Sequence, residues 1–144
     1  MSVQSILLPL FVQVALTFVL LYVLAFGRVR ALTAGRVRPA DVSLGQPAWP
    51  RRLTLLGNSL RNQFEIPVLF YVLTLLALAT SKAGLVFVVL AWVFVLSRIA
   101  HALVHVTSNE MRVRGPLYGL GVLVLTVMWV LFAAEILLAP VASS

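Results

Sequence analysis

The chain has no cysteine and very little charge. Four acidic residues (Asp41, Glu65, Glu110 and Glu135) stand against ten arginines and a single lysine in 144 residues, with two histidines. Without cysteine there are no disulfides, no zinc–thiolate centre and no cysteine nucleophile. With so few acids and histidines, candidates for acid–base chemistry are few. Charged residues make up 10% of the chain and hydrophobic ones 62%. An ordinary soluble domain is about 25% charged. The mean hydropathy is +1.07. A chain this apolar is not disordered, and a soluble protein of this size could not hide so much apolar surface in its core. The composition therefore points to an integral membrane protein. The net charge of +7 is then first a matter of topology, and only second of an anionic partner. The arginines flank apolar runs and are not interleaved with exposed aromatics, so no nucleic acid is expected as a partner. Ten arginines to one lysine suggest a GC-rich genome and hence a bacterial inner membrane.

A bilayer core is about 30 Å thick, and a helix rises about 1.5 Å per residue. A span therefore needs about 20 apolar residues. Four runs qualify, at about 6–26, 53–80, 83–106 and 117–138. The spacing predicts an all-α, up-down-up-down bundle of four transmembrane helices, a single membrane domain over residues 1–144. Pro50 is well placed to start the second helix, which then reads as one long helix over 51–80, kinked at Pro67. The segment 28–50 holds Gly35, Pro39, Gly45 and Pro47 and reads as a surface loop. Arg28, Arg30, Arg36, Arg38, Arg51 and Arg52 lie between the first two spans, and Arg112 and Arg114 between the last two. The positive-inside rule puts these loops in the cytoplasm and both termini outside. Trp49 reads as an interfacial anchor.

The polar residues inside the spans share a depth. Ser81 and Lys82 join the second and third spans in a tight hairpin. Counted from that turn, Glu65 matches Arg98, Asn62 matches His101, and Asn58 matches His105. The first pair lies about 22 Å from the turn at the helical rise. Within each span the residues repeat at three and four, which places them on one face. A charge inside the bilayer costs about 2.5 kcal/mol or more. Glu65 is therefore expected to pair with Arg98, or with Arg61 one turn away on the same helix. Structural glue between helices is one reading of these layers. A functional site is the other. His101 and His105 have metal-ligand spacing, but only Glu65 is available as a third ligand, so no metal is expected.

These residues also carry a resemblance. The stretch Asn58-Ser-Leu-Arg61-Asn62-Gln-Phe-Glu65-Ile-Pro67 resembles the second-helix signature of the MAPEG family, membrane-associated proteins of eicosanoid and glutathione metabolism. Arg98-Ile-Ala-His101, followed by Arg114 and Tyr118, is similar in spacing to that family's prostaglandin E synthase branch. Gly27-Arg28-Val29-Arg30 resembles the exit of its first helix. The resemblance implies a homotrimer that binds glutathione between subunits in the cytoplasmic half, with Arg30, Arg61, Asn62, Glu65, Arg98 and His101 as binding residues. It implies that Arg114 stabilises the glutathione thiolate, with Tyr118 one turn away as a hydrogen-bond donor. The elementary chemistry agrees. Guanidinium forks bind carboxylates, and a nearby cation favours a thiolate. Asn58 departs from the arginine of several enzymes of the family, Leu60 from a histidine and His105 from a tyrosine, and Pro67 stands closer to Glu65.

Two functions follow from the resemblance. One is a glutathione-dependent transferase or peroxidase acting on lipophilic small molecules that enter from the membrane lipids. The other is a non-catalytic accessory protein of the same fold that binds lipid. A transporter would show repeats or matched helix breaks. Only Pro67 interrupts a span.

Overall fold

A computed structural model describes residues 1–140. Among them, α1 covers Val3–Thr33, α2 Pro39–Val42, α3 Arg51–Asn62, α4 Ile66–Ala79, α5 Leu85–Val106 and α6 Met111–Leu137. Helix α1 starts at Ser2, whose hydroxyl accepts from the Ser5 N–H at 3.2 Å. That bond satisfies one of the free donors of the first turn. The helix runs well past Phe26, because nothing in residues 28–33 breaks it. It ends where Gly35 takes a φ of +70°, a conformation open to glycine. The segment read as a loop over 28–50 is thus partly helical. Residues 28–33 complete α1, and Pro39 opens the short α2.

The second span is not one kinked helix. It breaks into α3 and α4 over Gln63–Glu65, just ahead of the proline expected to kink it. Pro67 has no N–H to give to Gln63, and its ring would meet the Gln63 carbonyl in a continuous helix. The backbone instead closes short turns from Gln63 N to Leu60 O, Phe64 N to Arg61 O and Glu65 N to Asn62 O, at 3.0, 3.0 and 3.3 Å. Glu65 leaves helical geometry with φ −94° and ψ −114°. Pro67 then falls in the first turn of α4, where its missing donor costs nothing.

Helix α1 packs against α3, α4 and α5, and α6 lies along α5 and touches α4. Two apolar cores result. One joins Ile6, Phe70, Leu73, Phe94, Leu125 and Met128, with the Phe70 and Phe94 rings stacked at 4.8 Å. The other joins Leu20, Leu24, Ala31, Leu53, Leu56 and Ala102 toward the arginine-rich end. Large apolar side chains such as Phe11, Leu85, Leu123 and Val130 remain exposed. Four helical spans are long and apolar enough to cross a membrane. The protein is a multi-pass, all-α integral membrane protein, and its apolar outer faces are suited to lipid.

A buried amide pair ties α1 to the break. The Gln13 amide nitrogen donates to Gln63 Oε1 at 2.8 Å, and the Gln63 nitrogen donates to the Ser59 carbonyl at 3.0 Å. Both side chains are buried. Gln13→Leu leaves the Gln63 oxygen without its donor, at a cost of about 1–3 kcal/mol. Thermal unfolding in detergent is expected to show that loss, and Gln13→Leu with Gln63→Leu together to recover part of it. Equal losses in the single and double variants would show that the amide pair is not the source.

Candidate functional site

The break, the last turns of α5 and the first turns of α6 meet at the arginine-rich end of the bundle. They surround an open cavity of about 430 Å³. Asn58, Arg61, Asn62 and Glu65 line it from α3 and the break. His101 and His105 line it from α5, and Met111, Arg114, Gly115 and Tyr118 from α6. The three- and four-residue spacings explain the convergence, since each helix turns one polar stripe toward the others.

Glu65 is the hub of this wall. Lying in the break, it is freed from the helix and accepts from several directions. One end of the Asn62 amide stands 3.1 and 3.2 Å from its two carboxylate oxygens and the other 3.3 Å from His105 Nδ1. Because a carboxylate only accepts, the end facing Glu65 is assigned as the NH2 group and the end facing His105 as the oxygen. Tyr118 donates its hydroxyl to Glu65 Oε2 across 3.5 Å, at the outer limit of a hydrogen bond. The His101 ring lies 5.6 Å from the Tyr118 ring and meets the His105 ring edge-on at 5.5 Å.

The depth count is corrected by one layer. Asn62 was matched to His101 and Asn58 to His105, yet Asn62 meets His105. The reason is the break. Residues outside an α-helix rise more than about 1.5 Å each and the break also turns the axis, so α3 does not keep the register a continuous helix would give it. The expected ion pairs of Glu65 with Arg98 or Arg61 are also absent. Among the described residues the only ion pair joins Arg38 and Asp41 at 2.9 Å, on the exposed connection between α1 and α3. Hydrogen bonding to the Asp41 carboxylate holds Arg38 above the usual guanidinium value.

Arg98 and Arg30 stand apart from the cavity. Arg98 is fully buried, and none of its three guanidinium nitrogens has a hydrogen-bond partner within the chain. The charge lies 5.3 Å from the centre of the Tyr118 ring, a cation–π contact. Gly121 packs α6 closely on this part of α5, where a Cβ would stand 3.3 Å from Ser97 Oγ and in ordinary contact with Arg98 Cδ at 3.5 Å. Arg98 thus backs the cavity wall from behind Tyr118. Arg30 lies in a different groove of about 500 Å³, between α1 and α3, with Arg36, Arg52, Val23 and Phe26. Nearby, the Arg28 guanidinium sits 4.8 Å over the ring of Trp49.

Asn58, His105, Met111 and Gly115 line the cavity in addition to the ligand-binding residues expected from the sequence. For His105 a signal existed, its spacing of four from His101. Met111 and Gly115 flank Arg114 at three and one residues and carry no chemical signal of their own. Arg114 is half-buried and its guanidinium contacts the Met111 sulfur.

The cavity thus offers two guanidinium groups, one carboxylate, two imidazoles and a phenol. It sits inside one end of a four-helix, multi-pass membrane protein, and that arrangement defines the class. The MAPEG family matches residues 6–134, and the chain belongs to that family. No curated protein and no solved structure gives a significant match.

Proposed function

We propose that the protein is a glutathione-dependent transferase or peroxidase acting on lipophilic substrates. The donor set of the cavity carries this reading. Glutathione presents two carboxylates, one ammonium group and a thiol. Three charged residues of the right sign line the cavity. In this reading Arg61 takes a carboxylate, Glu65 the ammonium and Arg114 the sulfur. His101, Asn62 and Tyr118 add uncharged donors and acceptors. Arg98 acts through the Tyr118 ring in this arrangement, not by direct contact.

The working form is a homotrimer in a bacterial inner membrane, with both termini outside and the arginine-rich end in the cytoplasm. The exposure of Glu65 and Arg61 supports this assembly. Both are uncovered in the single chain, beside Phe64, which is 65% exposed. Charged groups at that depth call for protein cover. A neighbouring subunit supplies it, and its copy of Arg30 adds a second carboxylate clamp. The non-catalytic, lipid-binding alternative is favoured by one feature. Asn58 lines the cavity where several enzymes of the family carry arginine.

The test is thiol transfer from glutathione to a lipophilic aryl halide by the purified protein in detergent. Saturable turnover is expected. Glu65→Gln removes a charge-assisted hydrogen bond of about 1.5–3 kcal/mol, so KM for glutathione is expected to rise by about 10- to 150-fold. No turnover, together with a co-purifying lipid, would establish the accessory reading instead.

A further inference from the structure

We infer that His105 Nε2 accepts the proton of the thiol, and that Glu65 sets up this base by fixing the Asn62 amide. The inference rests on the reading that a thiol cosubstrate occupies the cavity. Its geometric half does not, because it concerns the protein alone.

The chain of reasoning starts at Glu65. A carboxylate can only accept hydrogen bonds. Both of its oxygens lie within 3.2 Å of one end of the Asn62 amide, so that end is the NH2 group. The other end, the carbonyl oxygen, is then turned to His105 Nδ1 at 3.3 Å. An acceptor facing a ring nitrogen requires that nitrogen to carry the proton. Neutral imidazole has one N–H, so the Nε2 of His105 keeps its lone pair. The hydrogen bond at Nδ1 thereby selects a tautomer, as the orienting group does for a histidine base in other enzymes.

His101 lacks this arrangement. Its Nδ1 is buried with no partner, so no group fixes its tautomer. Of the two histidines lining the cavity, only His105 is oriented through a carboxylate. Other charged or titratable groups surround it. They are Arg61 from α3, Glu65 from the break, His101 and the buried Arg98 from α5, and Arg114 and Tyr118 from α6.

In the step assigned to it, His105 Nε2 forms a new N–H bond as the thiol S–H bond breaks. The Nδ1–H stays on the Asn62 oxygen, and the amide passes part of the imidazolium charge to Glu65. Arg114 faces the sulfur, whose electron pair then bonds to the carbon of the electrophile. With an activated alkene or an epoxide nothing departs. His105 returns its proton to the carbon or oxygen that receives the negative charge. His105 is then neutral again, and the net change is addition of S–H. Asn62 is a positioning residue in this scheme.

Nitrogen-15 NMR of ligand-free, histidine-labelled protein in detergent reads the tautomer directly. The His105 resonances, assigned by their loss in His105→Gln, are expected to show a protonated Nδ1 and a bare Nε2. Asn62→Leu is expected to abolish that preference. A protonated Nε2 in the wild-type protein overturns the inference. The second readout follows glutathione binding by calorimetry and thiol ionisation by ultraviolet absorbance. His105→Gln is expected to lower kcat/KM by about 10²- to 10⁴-fold and flatten its pH profile, with glutathione affinity nearly unchanged. If the wild type binds and turns over glutathione and His105→Gln does so equally well, the base assignment fails alone. If the wild type binds no glutathione, the enzyme reading fails and the base assignment fails with it.

Discussion

Arg114→Ala is expected to lower turnover by about 10²- to 10³-fold and to leave the assembled protein intact. The reasoning is electrostatic. Removing one donor aimed at a developing anion costs about 2.7–4 kcal/mol. Arg114 lines the cavity, is half-buried and has only the Met111 sulfur as a side-chain partner. Its loss therefore breaks no hydrogen bond to oxygen or nitrogen that holds the bundle together. Ultraviolet absorbance of the bound thiol gives the check. The thiolate signal should move to higher pH in the variant, because the guanidinium is what favours the charged sulfur. Arg114→Lys keeps the charge but not the planar fork, and should recover part of the effect. An unchanged thiolate titration in Arg114→Ala would remove this residue from the chemistry.

Arg98→Met is expected to raise stability by about 1–4 kcal/mol and to lower thiol transfer. Such a sign is unusual for a fully buried residue. Taking a charge out of water costs several kcal/mol even after relaxation. Within the chain, Arg98 is compensated by a cation–π contact of about 2 kcal/mol and by no hydrogen bond. The balance is unfavourable, and methionine fills similar space without the charge. Thermal unfolding in detergent tests the first half and turnover tests the second. A loss of about 3–5 kcal/mol would instead mean that Arg98 is paired in the assembled protein and acts as structural glue. The two readings of the polar layers, glue and functional site, thus differ in the sign of one measurement.

Much of the architecture is legible in the residues because the membrane restricts the options. Apolar runs of span length need all their backbone groups satisfied internally, which makes them helices. The family resemblance was legible in the order and spacing of Arg61, Asn62, Glu65, Arg98, Arg114 and Tyr118. The exact contacts were not. Pro67 announced a disturbance, but a proline acts on the carbonyl four residues earlier, so the break opened over Gln63–Glu65. The register lost at that break then moved Asn62 from His101 to His105. Depth also says nothing of direction. Arg98 and Glu65 were placed together by counting along the helices. They failed to pair because Tyr118 comes between the buried guanidinium and the cavity. Arg30 joins none of these groups within one chain, since α1 turns it toward α3. The buried pair of Gln13 and Gln63 is not legible in the sequence, because a lone glutamine in an apolar run gives no hint of its partner 50 residues away.

The central claim is that the cavity at the arginine-rich end is built for an anionic thiol. Calorimetric titration of the detergent-purified wild-type protein with glutathione tests it most directly. Saturable binding with Kd at or below about 1 mM is expected, a free energy of about −4 kcal/mol or better, and weakened in Glu65→Gln. Absence of binding at concentrations well above that range would contradict the claim and leave the cavity to another ligand.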